Sequence, residues 1–245
     1  MLRSNVLYTT VVGILFLFFG FILEQEDNIQ INIDQATHFV VKDTLGRKTG
    51  YNPLTNTKFD EIPGGNYASL TLGGIGSENG SRYAHEFRTL VNPPLDGTYH
   101  LNVYGVKLGK YKVTILLNRD HKLTRLQKIG VTDSGDTTSF LFTKGKHPVL
   151  TKEINAAELR KDLALSYKMG WISDKTLYRN LLHKLIYAEN LYAQGKIKAG
   201  IQTLRTTASN ITEQLGNDDA SSILTEDAKS LIRKWESNLK VRVIP

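Results

Sequence analysis

The sequence predicts a multidomain chain of the β-plus-α class: an N-terminal hydrophobic helix, an antiparallel β-sandwich, and a three- or four-helix antiparallel bundle. Three observations carry this. Val11–Leu23 form an uninterrupted apolar run; residues from about 30 to 150 alternate apolar and polar side chains with period two; after Pro148 the apolar spacing changes to three and four. The expected divisions are 1–23, 30–146 and 153–240.

A chain of 245 residues has room for one large domain or two modest ones, and 40% hydrophobic with 22% charged residues is ordinary for a folded protein. There is no cysteine, which removes disulfides, thiolate zinc sites, iron–sulfur clusters and cysteine nucleophiles together. None of the six histidines forms the i, i+4 pair of a helical metal site. The net charge of +7 is spread along the chain, with no basic run longer than two. That is the pattern of a solvated basic surface, and a nucleic-acid partner is not expected.

The first element reads MLRSNVLYTTVVGILFLFFGFIL, with Arg3 ahead of the apolar core and Glu24-Gln25-Glu26-Asp27 behind it. A positive start and an acidic far side predict a cytoplasmic N-terminus and an exported remainder. Val11–Leu23 alone has the length of a removed signal peptide, whereas residues 6–23 suffice to span a bilayer. Small residues for a peptidase are missing after Leu23, which favours a retained single-pass anchor; the protein is secreted if the segment is cleaved.

The second element is a series of short strands. Phe39 and Val41 open it, followed by Ala68, Leu70 and Leu72, then Phe87. The clearest pair is Tyr99, Leu101, Val103 and Tyr111, Val113, Ile115, Leu117, before Phe140 and Phe142. Asp96-Gly97-Thr98-Tyr99 puts a tyrosine just after a tight turn, the setting of a tyrosine corner in immunoglobulin-like sandwiches. Asp43–Pro63 (DTLGRKTGYNPLTNTKFDEIP) reads as a long turn, with Gly46 and Gly50 serving positive φ, Asp43 an Asx-type turn and Pro53 a fixed corner. The alternative is an oxygen-ligand site for calcium built from Asp43, Asn52, Asn56 and Asp60. Asp133 and Asp136 pose the same choice.

The series D-x-x-G-R-x-T-G-Y-N-P-x-T-N, N-P-x-x-G-x-Y-x-L-x-V-x-G and G-x-Y-x-V-x-I resembles β-sandwich modules of secreted bacterial proteins, of the pre-peptidase C-terminal-like kind. That resemblance implies an immunoglobulin-like module that sits beside hydrolase or peptidase domains.

The third element follows Pro148. Leu159, Leu163, Tyr167; Leu177, Leu181, Leu185, Ala188, Tyr192; Ile197, Ile201, Leu204, Ala208, Ile211, Leu215; and Leu224, Ala228, Leu231, Trp235 make four amphipathic stripes. Glycines at 170, 195 and 216 predict their stops, and Thr225-Glu226-Asp227 a cap for the last. Gly170, Ile172, Leu185, Ala188, Gly195, Lys198, Ala199 and Leu204 resemble a small helical module, FIMAH, appended to secreted bacterial proteins. The resemblance implies a non-catalytic role.

Residues arranged for catalysis are not apparent. Ser69, Ser77 and Ser81 lack the G-x-S-x-G setting, and the glycine-rich Leu72–Gly80 lacks the Lys-Ser/Thr of a phosphate loop. His85 and His100 fall on strands and could face one another. The expectation is a non-catalytic binding or scaffolding protein of the bacterial cell envelope, without cofactor, whose partner is an envelope protein or cell-surface polymer. The alternatives are an accessory subunit of a separate exported enzyme and a small envelope hydrolase.

Overall fold

The computed structural model describes residues 27–241 apart from 35, 73–83 and 92–93. The expected hydrophobic helix at 1–23 and most of Leu72–Gly80 lie outside them. Among the described residues no helix is long and apolar enough to cross a membrane. The fold is β plus α: two antiparallel sheets followed by four helices.

One sheet has five strands in the order β5 (Asn66–Leu72), β6 (Ala84–Val91), β1 (Asn28–Asp34), β8 (Gly109–Arg119), β9 (Lys122–Thr132). The other has six: β11 (Leu150–Lys152), β10 (Thr137–Lys144), β7 (Gly97–Gly105), β2 (Thr37–Lys42), β3 (Lys48–Asn52), β4 (Thr57–Asp60). Alternation explains why they share one core. Ile29, Ile31 and Ile33 of β1 are fully buried while Gln30 and Asn32 between them are not. Tyr111, Val113 and Ile115 of β8 meet Phe39, Val41, Tyr99, Leu101, Phe140 and Phe142 of the other sheet in the same cluster. Each such side chain contributes about 1.5–3 kcal/mol by leaving water.

Three features depart from the sequence expectation. Asp43–Pro63 is not one long turn, since β3 and β4 form inside it. β9 and β11 carry no clear period-two signal, and β11 extends the second sheet to Lys152, past residue 146. His100 of β7 lies between the core residues Tyr99 and Leu101 and so on the outer face of its sheet, away from the sheet that holds His85 on β6.

The helices are α1 (Ala156–Lys168), α2 (Lys175–Ala193), α3 (Ile197–Gln214) and α4 (Asp218–Val241). Their stripes form a second core, from Leu159 and Leu163 through Leu181, Leu185, Ile201, Leu204 and Ile211 to Leu224, Leu231 and Trp235. Asn155 and Asp174 cap α1 and α2 with side-chain oxygens, and Gly170 and Gly195 follow them at φ 75° and 77°. The last helix starts earlier than expected. Asn217 accepts from the Ala220 amide at 2.9 Å and Asp218-Asp219 supply the acidic first turn, so Thr225-Glu226-Asp227 is interior.

Sheets and helices are joined. β9 and β11 are the edge strands of their sheets, and α1 packs against β9. Val131, Leu165 and Ile223 form a small buried cluster at the seam, covered by Leu108, Ile129, Met169 and Trp171. Lys110–Asp219 at 2.7 Å, Lys128–Glu226 and Asp133–Lys168 cross it as ion pairs.

Candidate functional site

The most distinctive open surface is built from turns. β8 and β9 are joined by Asp120-His121, at φ 48° and 60°, so both residues of a two-residue hairpin turn lie in the left-handed region. Asp and His tolerate this better than most residues, at a cost of roughly 1 kcal/mol or more each. The turn projects Arg119, Lys122, Leu123 and Arg125 beside Lys144, Gly145, Lys146, His147 and Pro148 of the β10–β11 loop. Together with Asp120, whose carboxylate pairs with Arg119 at 3.5 Å, they line an open cleft of about 920 Å³.

The cleft is cationic, and its floor is pinned. Lys144, 7% exposed, reaches Asp27 at 3.2 Å, Asp96 at 3.3 Å and the Pro94 carbonyl at 3.1 Å. The Asp120 amide donates to the Asp27 carboxylate at 3.2 Å. That amide above all, with Lys144, holds the Asp27 carboxyl below the usual carboxylate range. Lys144 is therefore neutralised by its neighbours. Lys122 and Lys146, exposed on the walls, have no ion pair among the described residues. A positive concavity of this kind can hold an anion with several negative oxygens.

The residues singled out in the sequence take other places. Asp43 closes its turn: one carboxylate oxygen accepts from the Leu45 and Arg47 amides at 2.9 Å each, the other from the Arg47 guanidinium at 2.7 Å. Asn52 accepts from the Leu54 amide at 2.9 Å, at the far end of β3 from Asp60, whose partner in register is Thr49. Asn56 stands at φ 52° and accepts from the Tyr51 hydroxyl. Three residues of β3 separate these positions by about 10 Å, so Asp43, Asn52 and Asp60 do not converge. Asp136 accepts from the Asp133 amide. Among the described residues no group of three His, Asp or Glu is placed to hold a metal ion. Tyr99 is fully buried, its hydroxyl donating to the Leu95 carbonyl at 2.8 Å, and burial pushes it up to about 12.

A second polar cluster lies inside the seam. Lys152 of β11 contacts Asp162 of α1 and Asp227 of α4, all with side chains no more than 7% exposed. Burial lowers the Lys152 ammonium, but the two carboxylates outweigh it and raise it. Burial pushes the Asp162 carboxyl up to about 7 against the pull of Lys152, with the Asp227 carboxyl adding to the rise. Asp162 Oδ1 has no hydrogen-bond partner. A cavity of about 290 Å³ opens beside Lys152 and Asp227, under Lys128, Glu226 and Arg233. With Asp162 closed off, the trio acts as a weld between strand and helices.

Neither cluster is visible in the linear order. The cations of the cleft come from segments some twenty residues apart, and the trio from three elements. The one available signal was the charge density of Arg119–Lys128. No protein family, curated protein or solved structure matches this chain.

Proposed function

We propose that this chain is a non-catalytic binding and scaffolding protein of the bacterial cell envelope, held to the membrane through Met1–Leu23 with the remainder extracytoplasmic. Its sheets are read as an immunoglobulin-like sandwich with a tyrosine corner at Tyr99, and its helices as an antiparallel bundle. The observation that carries the reading is the cleft, where Lys122, Arg125 and Lys146 converge around a volume of about 920 Å³. An anionic component of the envelope is the ligand that such a surface recognises. The buried Lys152 cluster supports the scaffolding half, because it ties helices and sheets into one body.

The full chain in nanodiscs of neutral lipid should bind a soluble polyanion such as polyphosphate. Binding should weaken steeply between about 0.05 M and 1 M salt, where the screening length falls from above 10 Å to about 3 Å. Lys122→Ala with Lys146→Ala should weaken it further. Polyanion binding that ignores both salt and these substitutions would remove the cleft as the binding face. An accessory role beside a separate exported enzyme is the second reading; Tyr187, 59% exposed on α2, is the surface that favours it.

A further inference from the structure

We infer that the cleft end of the two sheets docks on the anionic lipid headgroups of the membrane that anchors the chain. The inference rests on the reading above and names its ligand. Strand directions gather one end of both sheets. Asn28 pairs with Asn118 and Ile29 with Val91, while Lys144 pairs with Gly97 and Lys42 with His100. The turns at 43–47, 94–96 and 120–121 and the loop at 145–149 therefore lie at one end, and Lys144 bridges the two sheets there through Asp27 and Asp96.

This end carries large apolar side chains in water: Leu45 at 68%, Leu123 at 64% and Leu95 at 37% exposure. Leu123 stands between Lys122 and Arg125. Exposed leucines set among cations suit an interface whose surface is negative and whose interior is apolar. A soluble polymer would use the cations and leave the leucines idle. The turn that follows β9, Asp133 to Asp136, lies at the opposite end.

The path of the chain points the same way. The described chain begins at Asp27, paired with Lys144 of the cleft, and four residue steps lead to it from Leu23, the last residue of the apolar block. Four residues span at most about 14 Å. An anchor ending at Leu23 therefore holds this end within reach of the headgroups.

The absence of cysteine permits a direct test on the full chain. Leu123→Cys and, at the opposite end, Ser134→Cys each give a single site for an environment-sensitive fluorophore. The proteins are reconstituted through their own N-terminal segment into vesicles of neutral lipid, with or without anionic lipid. The label at 123 should shift to the blue and be quenched by a lipid-borne quencher only when anionic lipid is present, while the label at 134 stays in water. Lys122→Gln or Lys146→Gln should each move the docked population back about fivefold. Equal, water-like signals from both labels overturn the inference. If polyphosphate nevertheless binds the cleft in neutral vesicles, the anion-binding reading stands and only the lipid assignment falls. If neither lipid nor polyphosphate is bound, both fall.

Discussion

Lys152 of the last strand and Asp227 of the last helix meet at 2.7 Å, with side-chain exposures of 6% and 7%. Together with Asp162 they put one ammonium against two carboxyls in a nearly buried cluster. Removing the cation alone is therefore costly. Lys152→Met should lose about 3–5 kcal/mol in urea unfolding, because it leaves two buried acids without a counter-charge. Lys152→Met combined with Asp162→Leu and Asp227→Leu should recover most of that loss. A triple variant no better than the single one would show that the trio contributes more than mutual neutralisation.

The same cluster sets a pH dependence. Burial raises the Asp162 carboxyl to about 7, whereas an unfolded aspartate titrates near 3.9. Between these values the folded chain holds the extra proton. The stability from protonated Asp162 is thus complete below about pH 4 and is lost as the pH rises through about 7. Asp162→Asn, neutral throughout, should flatten the fall in stability across this window. An unchanged slope would mean that Asp162 is ionised in the folded state at every pH tested.

Tyr99 separates packing from hydrogen bonding. Its ring stacks on Phe142 at 4.8 Å between centroids, and its hydroxyl fixes the turn through Leu95. Tyr99→Ala should cost about 3–5 kcal/mol and Tyr99→Phe only about 1 kcal/mol. Chemical denaturation of the two variants distinguishes them; equal losses would mean that the packing of the ring contributes nothing.

Gly46 and Gly50 both have positive φ, at 83° and 133°, but their surroundings differ. A Cβ at 46 meets nothing within 4 Å, while one at 50 would stand 2.2 Å from the Phe39 carbonyl oxygen. Gly46→Ala should cost about 1 kcal/mol of backbone strain. Gly50→Ala should cost about 3 kcal/mol or more, since β3 must move away from β2. Similar melting temperatures for the two would contradict the close approach of these strands.

Asp43 is saturated by its own turn, so calcium should not raise the melting temperature. Asp43→Ala should lower stability by about 2–3 kcal/mol by stranding the Leu45 and Arg47 amides and the Arg47 guanidinium. A calcium-dependent rise that disappears in Asp43→Ala or Asp60→Ala would make this segment a metal site.

The elements written in side-chain period were legible. Tyr99–Val103 and Tyr111–Leu117 alternate because each has one dry face, and the leucine stripes of α2 and α3 repeat because each helix turns one face inward. What escaped was decided by the partner strand or by long-range pairing. β9 has a polar outer face, and its turn is Asp-His where Asn-Gly or Asp-Gly would have signalled a hairpin. β11 has three residues, too few to show a period. The cations of the cleft look scattered because strand pairing, absent from a linear reading, brings their turns together. Lys152 reads as linker and Asp162 as the wet side of a helix until β11 pairs with β10 and brings them together.

The pinning of Asp27 has a mechanical consequence. A pull on the N-terminal side enters the fold at Asn28, the start of β1, the central strand of its sheet. β1 is paired along its whole length with β6 on one side and β8 on the other, both antiparallel. Tension along the strand axis shears both ladders at once instead of unzipping them one bond at a time. The load is shared by the whole register from Asn28 to Asp34, and the Lys144 bridges to Asp27 and Asp96 pass part of it to the second sheet. Force entering where β1 begins is therefore carried in shear by both neighbouring ladders.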